Sequence, residues 1–314
     1  MADLLVTPVV PSEARASGGT TVPRTSRHRR RALIGLLYVS PAAAVYLYFA
    51  IWPTLTTLGL SFMTWDGIVP ARWNGIDNYV RIFTDSTLLD AILHSLVLIV
   101  FFSVIPVIIG LVLTGMLTQR VRRGMTFFRV VFFLPQVLPL VVVGITWRWL
   151  YSEHGVVNQF LSAVGLDAIT RAWLGDYDFA LIALGLIGTW TMSGLCMVLF
   201  LSGAQKIDPQ YFEAAKLDGA GAVRQFVSIA LPELRKEITI AAVITTIAAL
   251  ASFDLVFVTT AGGPANQTTV PGLLVYRLAF NEGNIGGASA LAVTLSVIVI
   301  GMVTLIRYIA REKP

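Results

Sequence analysis

Residues able to carry acid–base, nucleophilic or metal chemistry are few in this 314-residue chain, and the sequence shows no cluster of them. His94 and His154 lie far apart and lack the spacing of metal ligands. Cys196 is the one cysteine, which excludes an internal disulfide, and its place inside an apolar run is typical of a small apolar filler. A membrane enzyme needs several such groups on one face. We therefore predict no catalytic residue and no bound metal in this chain.

The sequence also bears on how the protein is driven and on the role of one acid within an apolar run. The chain contains no GxxxxGK[ST] phosphate-binding motif, so any nucleotide that drives it must be bound by another chain. Asp254 is the acid that interrupts an apolar run, and a carboxylate inside a membrane is a functional candidate by default. Its position near the end of that run favours a solvated residue or a salt bridge to a partner.

The elements that must position these residues are apolar. Hydrophobic residues make up 56% of the chain and charged residues 13%, a composition that excludes disorder, a coiled coil and a typical soluble enzyme. A helix needs roughly 20 apolar residues to cross a membrane. Six runs meet this requirement, at 32–65, 91–119, 130–147, 179–205, 238–258 and 284–306. We predict an all-α polytopic membrane protein with six transmembrane helices.

The distribution of basic residues predicts the orientation. If the spans alternate, 18 of the 23 Lys and Arg residues fall on the side of the two termini. Basic loops stay inside, so both termini are expected in the cytoplasm, and membrane topology explains the basic charge better than nucleic acid does. Residues 1–31 are rich in Ser, Thr, Pro, Gly and Arg and are predicted to form a disordered basic tail. Residues 32–314 form the single six-span domain.

The most unusual segment is the loop 203–237 between the fourth and fifth spans. Asp208 is a natural N-cap and Pro209 suits the first helical position, which predicts a short helix over 210–218. Gly219 and Gly221 supply its C-terminal stop, and a second amphipathic stretch follows over 222–230. Pro232 is expected to break this stretch before the fifth span.

The residues of this short helix suit contact with another protein. The small side chains of Ala214 and Ala215 let another backbone approach closely, and Tyr211 and Phe212 are suited to anchoring the helix in a groove. The alternative is an ordered loop that only joins two spans.

The stretch EAAKLDGAGAVRQFVSIALP in this loop resembles the EAA loop of ABC importer permeases, close to the sugar importers of the maltose permease type. The resemblance covers nearly the whole chain after the tail. It includes FFRVVFFLPQVLPLVVVGITWRWLY from residue 127, G-x-x-N-x-x-L from Gly155, FDLVFVTTAGGP from Phe253, and the stretch from Tyr276 to Ala290. One departure is Lys236, where the family often has a second proline. The large extracytoplasmic insertion of some maltose permeases is also absent.

The resemblance implies a type I ABC importer permease fold and a place in the cytoplasmic membrane of a prokaryotic cell. It also implies three kinds of partner: a second homologous permease, an ATPase dimer that binds ATP and Mg²⁺, and an extracytoplasmic binding protein. No cofactor is implied for this chain. The loop residues implied to dock on the ATPase, with their supporting end, are Tyr211, Phe212, Glu213, Ala214, Ala215, Asp218, Gly219, Ala220, Ile229, Leu231 and Pro232.

The resemblance also implies a substrate pathway along the fourth and fifth spans. The matching positions are Gly188, Met192, Leu195, Thr245, Ala248, Ala249 and Ser252. Thr245, Ala248 or Ala249, and Ser252 share one helical face. Small residues and hydroxyls in membrane spans more often pack helices together, so that alternative stays open. These residues are smaller and less polar than those of the maltose permease, so individual contacts do not carry over.

The predicted function is that of a permease subunit, without enzymatic activity of its own, that passes a sugar or small oligosaccharide. An importer of the same family for another small solute, such as a glycerol phosphodiester, is the alternative. An anionic solute would favour Lys or Arg along the pathway, and the spans offer none at mid-depth. A carrier driven by ion gradients would need carboxylates or histidines inside the spans, and five of the six spans are wholly uncharged.

Overall fold

The computed structural model of the chain describes residues 24–118 and 125–310. These residues fold mainly into helices. In chain order the α-helices are α1 Arg24–Tyr46, α2 Trp52–Leu60, α3 Asp77–Thr84, α4 Ser86–Ile99, α5 Ile105–Thr118, α6 Met125–Val137, α7 Leu140–Leu150, α8 Val156–Ala163, α9 Ala180–Ala204, α10 Pro209–Leu217, α11 Ala222–Gln225, α12 Leu231–Glu233, α13 Arg235–Leu250, α14 Asp254–Thr259, α15 Pro271–Tyr276 and α16 Ile285–Ile309.

Three π-helical segments join consecutive α-helices, and a fourth extends α15. The π-helical segments are Leu47–Ile51, Val100–Val104, Phe226–Ala230 and Arg277–Asn281, and a 3₁₀ turn forms at Asp167–Ile169. Two short antiparallel strands, β1 at Met63–Thr64 and β2 at Arg72–Trp73, pair Met63 with Trp73. The backbone N–H groups of Ile68 and Val69 donate to the Asp66 carboxylate at the tip between the strands, which lowers the pKa of that carboxyl.

Within the described residues, four helical stretches are long and apolar enough to cross a membrane: Gly35–Leu60, Ser86–Met116, Ala180–Ala204 and Ile285–Ile309. They correspond to the first, second, fourth and sixth predicted runs. The third run is a pair of helices, Phe127–Val137 and Leu140–Leu150, bent by 100°. The fifth run contains α13, of 16 residues, followed after a three-residue break by α14. Each of the six predicted runs is therefore mainly helical. Among the described residues, four of them, or five if the bent pair counts as one span, are long and apolar enough to cross a membrane.

Pro139 explains the bend in the third run. It precedes the first residue of α7 with φ −57° and ψ 132°, an extended conformation. A proline lacks the N–H that a continuous helix needs, and it pushes the residue before it out of the helical region. Pro135, in contrast, lies inside α6 without ending it.

The chain divides into two compact units, 1–55 and 56–314. In the first, α1 begins at Arg24, inside the predicted tail, and residues 1–23 of that tail lie outside the described residues. The large apolar side chains that α1 presents from Leu36 onward are mostly exposed, as expected for a helix in contact with lipid. The first predicted run is shorter as a helix than expected, because α2 ends at Leu60.

The second unit packs around α9, which is buried along most of its length. Glycines let neighbouring helices approach it closely. A Cβ at Gly194 would lie 2.0 Å from the carbonyl oxygen of Phe132 on α6, and one at Gly110 on α5 would lie 2.7 Å from the Cβ of Cys196. Cys196 itself is fully buried. Such contacts fix α5 and α6 against α9.

Asn158, from the G-x-x-N-x-x-L motif, organises the segment between α7 and α9. Its buried amide donates to the backbone oxygens of Ser152, Glu153 and Arg171, and its oxygen accepts from Trp173 Nε1 at 2.8 Å. The Asn158 side chain thus provides hydrogen-bond partners for backbone oxygens of a segment that has no regular secondary structure to pair them.

Candidate functional site

The helix α10 of the loop 203–237 begins where the sequence predicts. Asp208 Oδ1 accepts from the backbone N–H of Gln210 at 2.9 Å, and Pro209 occupies the start of the helix. A side-chain oxygen at this position satisfies one of the free N–H groups of the first turn. The predicted N-cap is therefore confirmed.

The end of α10 is also a local structure. Gly219 has φ +76°, and its N–H donates to the oxygen of Lys216 at 3.0 Å. The N–H of Ala220 donates to the oxygen of Ala215 at 2.8 Å. This pair of bonds is a Schellman motif, which requires a left-handed residue that glycine adopts without strain. The predicted glycine stop is confirmed at Gly219.

The second half of the loop differs from the prediction at Pro232. The chain is helical from Ala222 through Pro232 and bends only at Leu234, where φ is −80° and ψ is 2°. The π-helical segment Phe226–Ala230 comes directly before this turn and widens the helix. A proline ring collides with the carbonyl four residues earlier in a regular α-helix, and a widened turn relieves that collision.

Two contacts join the loop to the helices, and a third links its two ends. The Phe226 ring packs against Gly115 on α5, where an added Cβ would lie 3.3 Å from the ring. Leu234 is fully buried in a cluster with Cys196, Phe200 and Ala241. Lys206 Nζ lies 3.5 Å from Glu237 Oε1, which links the two ends of the loop. The second half of the loop is thus fixed to α5, α9 and α13.

Helix α10, in contrast, is largely exposed. Of the predicted docking residues, Tyr211, Glu213, Ala214, Asp218, Gly219 and Pro232 are exposed and Phe212, Ala215, Ala220, Ile229 and Leu231 are half-buried. Two apolar side chains that were not predicted flank the Gly219 turn: Leu217 is 91% exposed and Val223 is 77% exposed. The sequence signal that could have identified them is their place on either side of the predicted glycine turn. Gln225 supports the turn from inside, with its Nε2 donating to the oxygen of Ala220 at 2.6 Å.

The predicted pathway residues lie together between α9 and α13, and most are packed against this chain. A Cβ at Gly188 would lie 2.0 Å from the ring of Phe102. Ala249 is fully buried, and Met192 is 8% exposed. The half-buried Leu195 and Ala248 pack against the same core.

Thr245 belongs to a buried polar network. Its Oγ1 lies 2.7 Å from Ser103 Oγ and 2.8 Å from the oxygen of Ala241. The hydroxyl of Thr246 donates to the same Ser103 oxygen at 3.3 Å. Because these hydroxyls satisfy one another, they join α13 to the π-helical segment Val100–Val104.

Two buried polar atoms lack a hydrogen-bond partner among the described residues and lie near breaks in the helices. One is Ser252 Oγ, in the three-residue break between α13 and α14. The other is Gln136 Oε1, one turn before Pro139 and the bend between α6 and α7. Gln136 was not predicted; its signal is a lone amide between two prolines in an apolar run. A buried polar group without a partner costs about 1–3 kcal/mol, which a bound polar group would offset.

The candidate acid and the two histidines lie outside α9 and α13. Asp254 is exposed in the first turn of α14. His94 Nδ1 lies 2.9 Å from the backbone oxygen of Thr269, and His154 is exposed. Within residues 24–118 and 125–310, His, Cys, Asp and Glu form no group of three suited to a metal ion.

The comparisons with known proteins agree with this architecture. A family model described as "Binding-protein-dependent transport system inner membrane component" matches residues 107–312. The probable ABC transporter permease protein YurN of Bacillus subtilis (strain 168) is 34% identical over 273 residues, which cover 86% of this chain and 93% of that protein. The lactose transport system permease protein LacF of Rhizobium radiobacter is 32% identical over 299 residues, which cover 93% of this chain and 99% of that protein.

A solved structure shows the same fold. A chain in the crystal structure of a bacterial alginate ABC transporter, in complex with an alginate pentasaccharide-bound periplasmic protein, matches with a TM-score of 0.78 and 21% identity. The match covers 92% of this chain and 97% of that chain. The predicted permease fold is therefore confirmed. The relatives are permease subunits of transporters, so the chain is a transport component rather than an enzyme, and it belongs to the family of binding-protein-dependent transport system inner membrane components.

Proposed function

We propose that this chain is one of two permease subunits in an ATP-driven importer for a sugar or small oligosaccharide. It lines the pathway together with a second homologous permease and receives the solute from an extracytoplasmic binding protein. An ATPase dimer, which binds ATP and Mg²⁺, drives the cycle through the loop 203–237.

The exposed and locally capped helix α10 is the observation that carries this proposal. Its N-cap and its Schellman turn fix its shape without help from neighbouring helices, while Leu217 and Val223 remain exposed. A rigid short helix with apolar side chains at its end suits a groove on another protein. The links from Phe226 to α5 and from Leu234 to the core would carry its movement to the helices.

The orientation follows from charge. With 18 of 23 Lys and Arg residues on the side of the termini, we place both termini and the loop 203–237 in the cytoplasm, where the ATPase is. The segments 61–84, 151–178 and 260–284 then face the binding protein.

The names of similar proteins support a saccharide as the solute. LacF is a lactose permease by name, and the matched crystal structure is of an alginate importer with a bound pentasaccharide on its periplasmic protein. Sugars present many hydroxyl groups, and Ser252 Oγ and Gln136 Oε1 are buried groups without partners that suit them. We assign these two side chains to the pathway, with the packed residues around Ala249 as its support.

The proposal is tested with the assembled importer in liposomes. This chain is co-expressed with the neighbouring permease, ATPase and binding-protein genes, and ATPase activity is measured with the binding protein and a panel of sugars. We expect stimulation by one or a few sugars. Assembly without stimulation by any sugar would overturn the saccharide assignment, and failure to associate with any ATPase would overturn the importer itself.

The pathway assignment needs its own variants. We expect Ser252→Ala and Gln136→Leu to raise the sugar concentration needed for half-maximal transport while leaving basal ATPase activity unchanged. Thr304→Val is the matched control, because Thr304 is exposed on α16 and its hydroxyl bonds only within its own helix, to the oxygen of Ile300. Unchanged transport in both variants would remove Ser252 and Gln136 from the pathway.

A further inference from the structure

Helix α3, at the end of the second unit opposite the loop 203–237, presents three separate faces. One face is packed against the neighbouring elements, one is exposed and apolar, and one is exposed and polar. The packed face consists of Asn78, Tyr79 and Ile82. The exposed apolar face consists of Val80, Phe83 and Ile76, the residue before α3. The exposed polar face consists of Asp77, Arg81 and Thr84. At about 100° per residue these sets occupy three distinct sectors of the helix.

The inner face fixes the rotation of α3. Asn78 Nδ2 donates to the oxygens of Ser61 at 3.0 Å and Met63 at 2.9 Å. The hydroxyl of Tyr79 donates to Ser61 Oγ at 2.7 Å, and Ile82 is 1% exposed in an apolar cluster that includes Leu291 of α16. The apolar outer face cannot turn inward without breaking these contacts. Ile76, Val80 and Phe83 therefore stay exposed, at 64%, 49% and 63%.

Helix α3 is followed directly in the chain by a helix that crosses the membrane. Asp85 ends α3 and caps α4, whose N-terminal turn starts at the next residue. Along α4 the exposed apolar side chains Leu89, Leu93 and Val97 recur at every fourth position. The face of α3 thus lies at the level where the chain enters the apolar layer. Trp73 of β2, 73% exposed, adds an aromatic side chain next to this level, where aromatic residues are enriched.

We propose that α3 is an interfacial helix that binds the lipid surface. Ile76, Val80 and Phe83 lie at the boundary between headgroups and acyl chains, and Asp77, Arg81 and Thr84 face water. A polar sector beside an apolar sector matches a boundary between water and hydrocarbon, whereas a protein partner would not need the two sectors to be separated in this way. The assignment does not depend on which solute is transported.

Site-directed spin labelling tests this assignment in the assembled importer, reconstituted in phosphatidylcholine and phosphatidylglycerol vesicles. Cysteine replaces Val80, Phe83, Asp77 or Arg81, one residue at a time. The unsubstituted chain, whose Cys196 is buried, measures background labelling. Collision of the label with oxygen, which concentrates in lipid, is compared with collision with a water-soluble nickel complex.

We expect labels at Val80 and Phe83 to collide more with oxygen and less with nickel than labels at Asp77 and Arg81. Both labels should lie about 5–10 Å into the region where headgroups meet acyl chains. Shielding of Val80 and Phe83 from both reagents would overturn the proposal, because a protein such as the second permease would then cover them. Equal exposure of all four labels to nickel would also overturn it, as would shielding that begins only when the binding protein is added. Val80→Cys and Phe83→Cys are read independently, so one poorly folded variant does not remove the test.

Discussion

The two regions that we assign to coupling and to passage are stabilised in opposite ways. Helix α10 is fixed by its own backbone: the Asp208 cap at one end and the Gly219 turn at the other. The region between α9 and α13 is fixed by side chains from distant parts of the chain, such as Phe102 against Gly188 and Ser103 against Thr245. A locally stabilised element leaves its surface free for a partner. A region stabilised by burial leaves few side chains free for a ligand.

This difference predicts separable effects of substitution. Changes in α10 should alter coupling with little effect on the stability of the chain, whereas changes between α9 and α13 should alter stability first. The predictions below follow this difference from the largest expected effect to the smallest.

The largest effect is expected for Gly188→Ala. The new Cβ would lie 2.0 Å from the Phe102 ring, so α9 and the segment Val100–Val104 must move apart. Such overpacking typically costs about 1–3 kcal/mol. Thermal unfolding in detergent, followed by size-exclusion chromatography, measures the loss of stability. The matched control is Gly301→Ala, because a Cβ at Gly301 meets nothing within 4 Å. Equal unfolding temperatures for the two variants would show that this region is not tightly packed.

The next effect is expected for Gly219→Val, which forces a β-branched residue into φ +76°. We expect a local cost of roughly 1–2 kcal/mol, which distorts the end of α10 and lowers sugar-stimulated ATPase activity. The unfolding temperature of the chain should change little, because Gly219 is exposed.

Gly221→Val is the matched control for this turn. Gly221 has φ −68°, an ordinary conformation, and open space around its Cβ position. Loss of coupling in both variants to the same degree would refute the role of the left-handed turn and leave only a general sensitivity of the loop.

A smaller effect is expected for Leu217→Ala, which removes an exposed apolar side chain next to the turn. If Leu217 is an anchor in a groove, its loss should weaken binding of the ATPase by more than about 1 kcal/mol, roughly fivefold. The change is measured by diluting the detergent-solubilised complex stepwise and determining how much ATPase still co-purifies with this chain. Val164→Ala serves as control, since Val164 is 54% exposed at the opposite end. Retention of the ATPase at the same level by both variants would contradict an anchor role.

The smallest of these effects is expected for Thr245→Val, which removes a buried hydroxyl but keeps the shape of the side chain. The lost bonds to Ser103 and Ala241 should lower stability by about 0.5–1.5 kcal/mol. Solute specificity should stay unchanged, because packing is the role that the contacts of Thr245 support. A changed sugar preference with unaltered stability would move Thr245 from the packing to the pathway.

The same difference explains what could be predicted from sequence. The start and end of α10 depend on Asp208, Pro209 and Gly219, residues whose effect acts within one turn, so they were predictable. The continuation of the helix through Pro232 was not, because it depends on the widened turn before it. The third run was predicted as one span, and its bend of 100° depends on Pro139 together with the packing of α6 and α7 against other helices.

The candidate sites follow the same rule. The small residues of α13 and the adjoining Ser252 were predicted to share one helical face. The packing of Thr245 against Ser103, and of Gly188 on α9 against Phe102, became evident only from contacts between distant segments. The exposure of Leu217 and Val223 likewise depends on where the chain turns after α10. Asn158 was predicted as part of a motif, and its partners explain why an amide is needed there.

Cross-linking from position 217 tests the central claim most directly. Leu217→Cys is introduced into the full chain of the assembled importer, where the native Cys196 is buried and unreactive. A cysteine-directed photo-cross-linker is then attached, with Val164→Cys at the opposite end as the matched control. We predict that position 217 cross-links to the ATPase subunit and that position 164 does not. A cross-link from position 217 to the binding protein, or no cross-link to the ATPase in a complex that hydrolyses ATP, would contradict the assignment of α10 as the coupling helix.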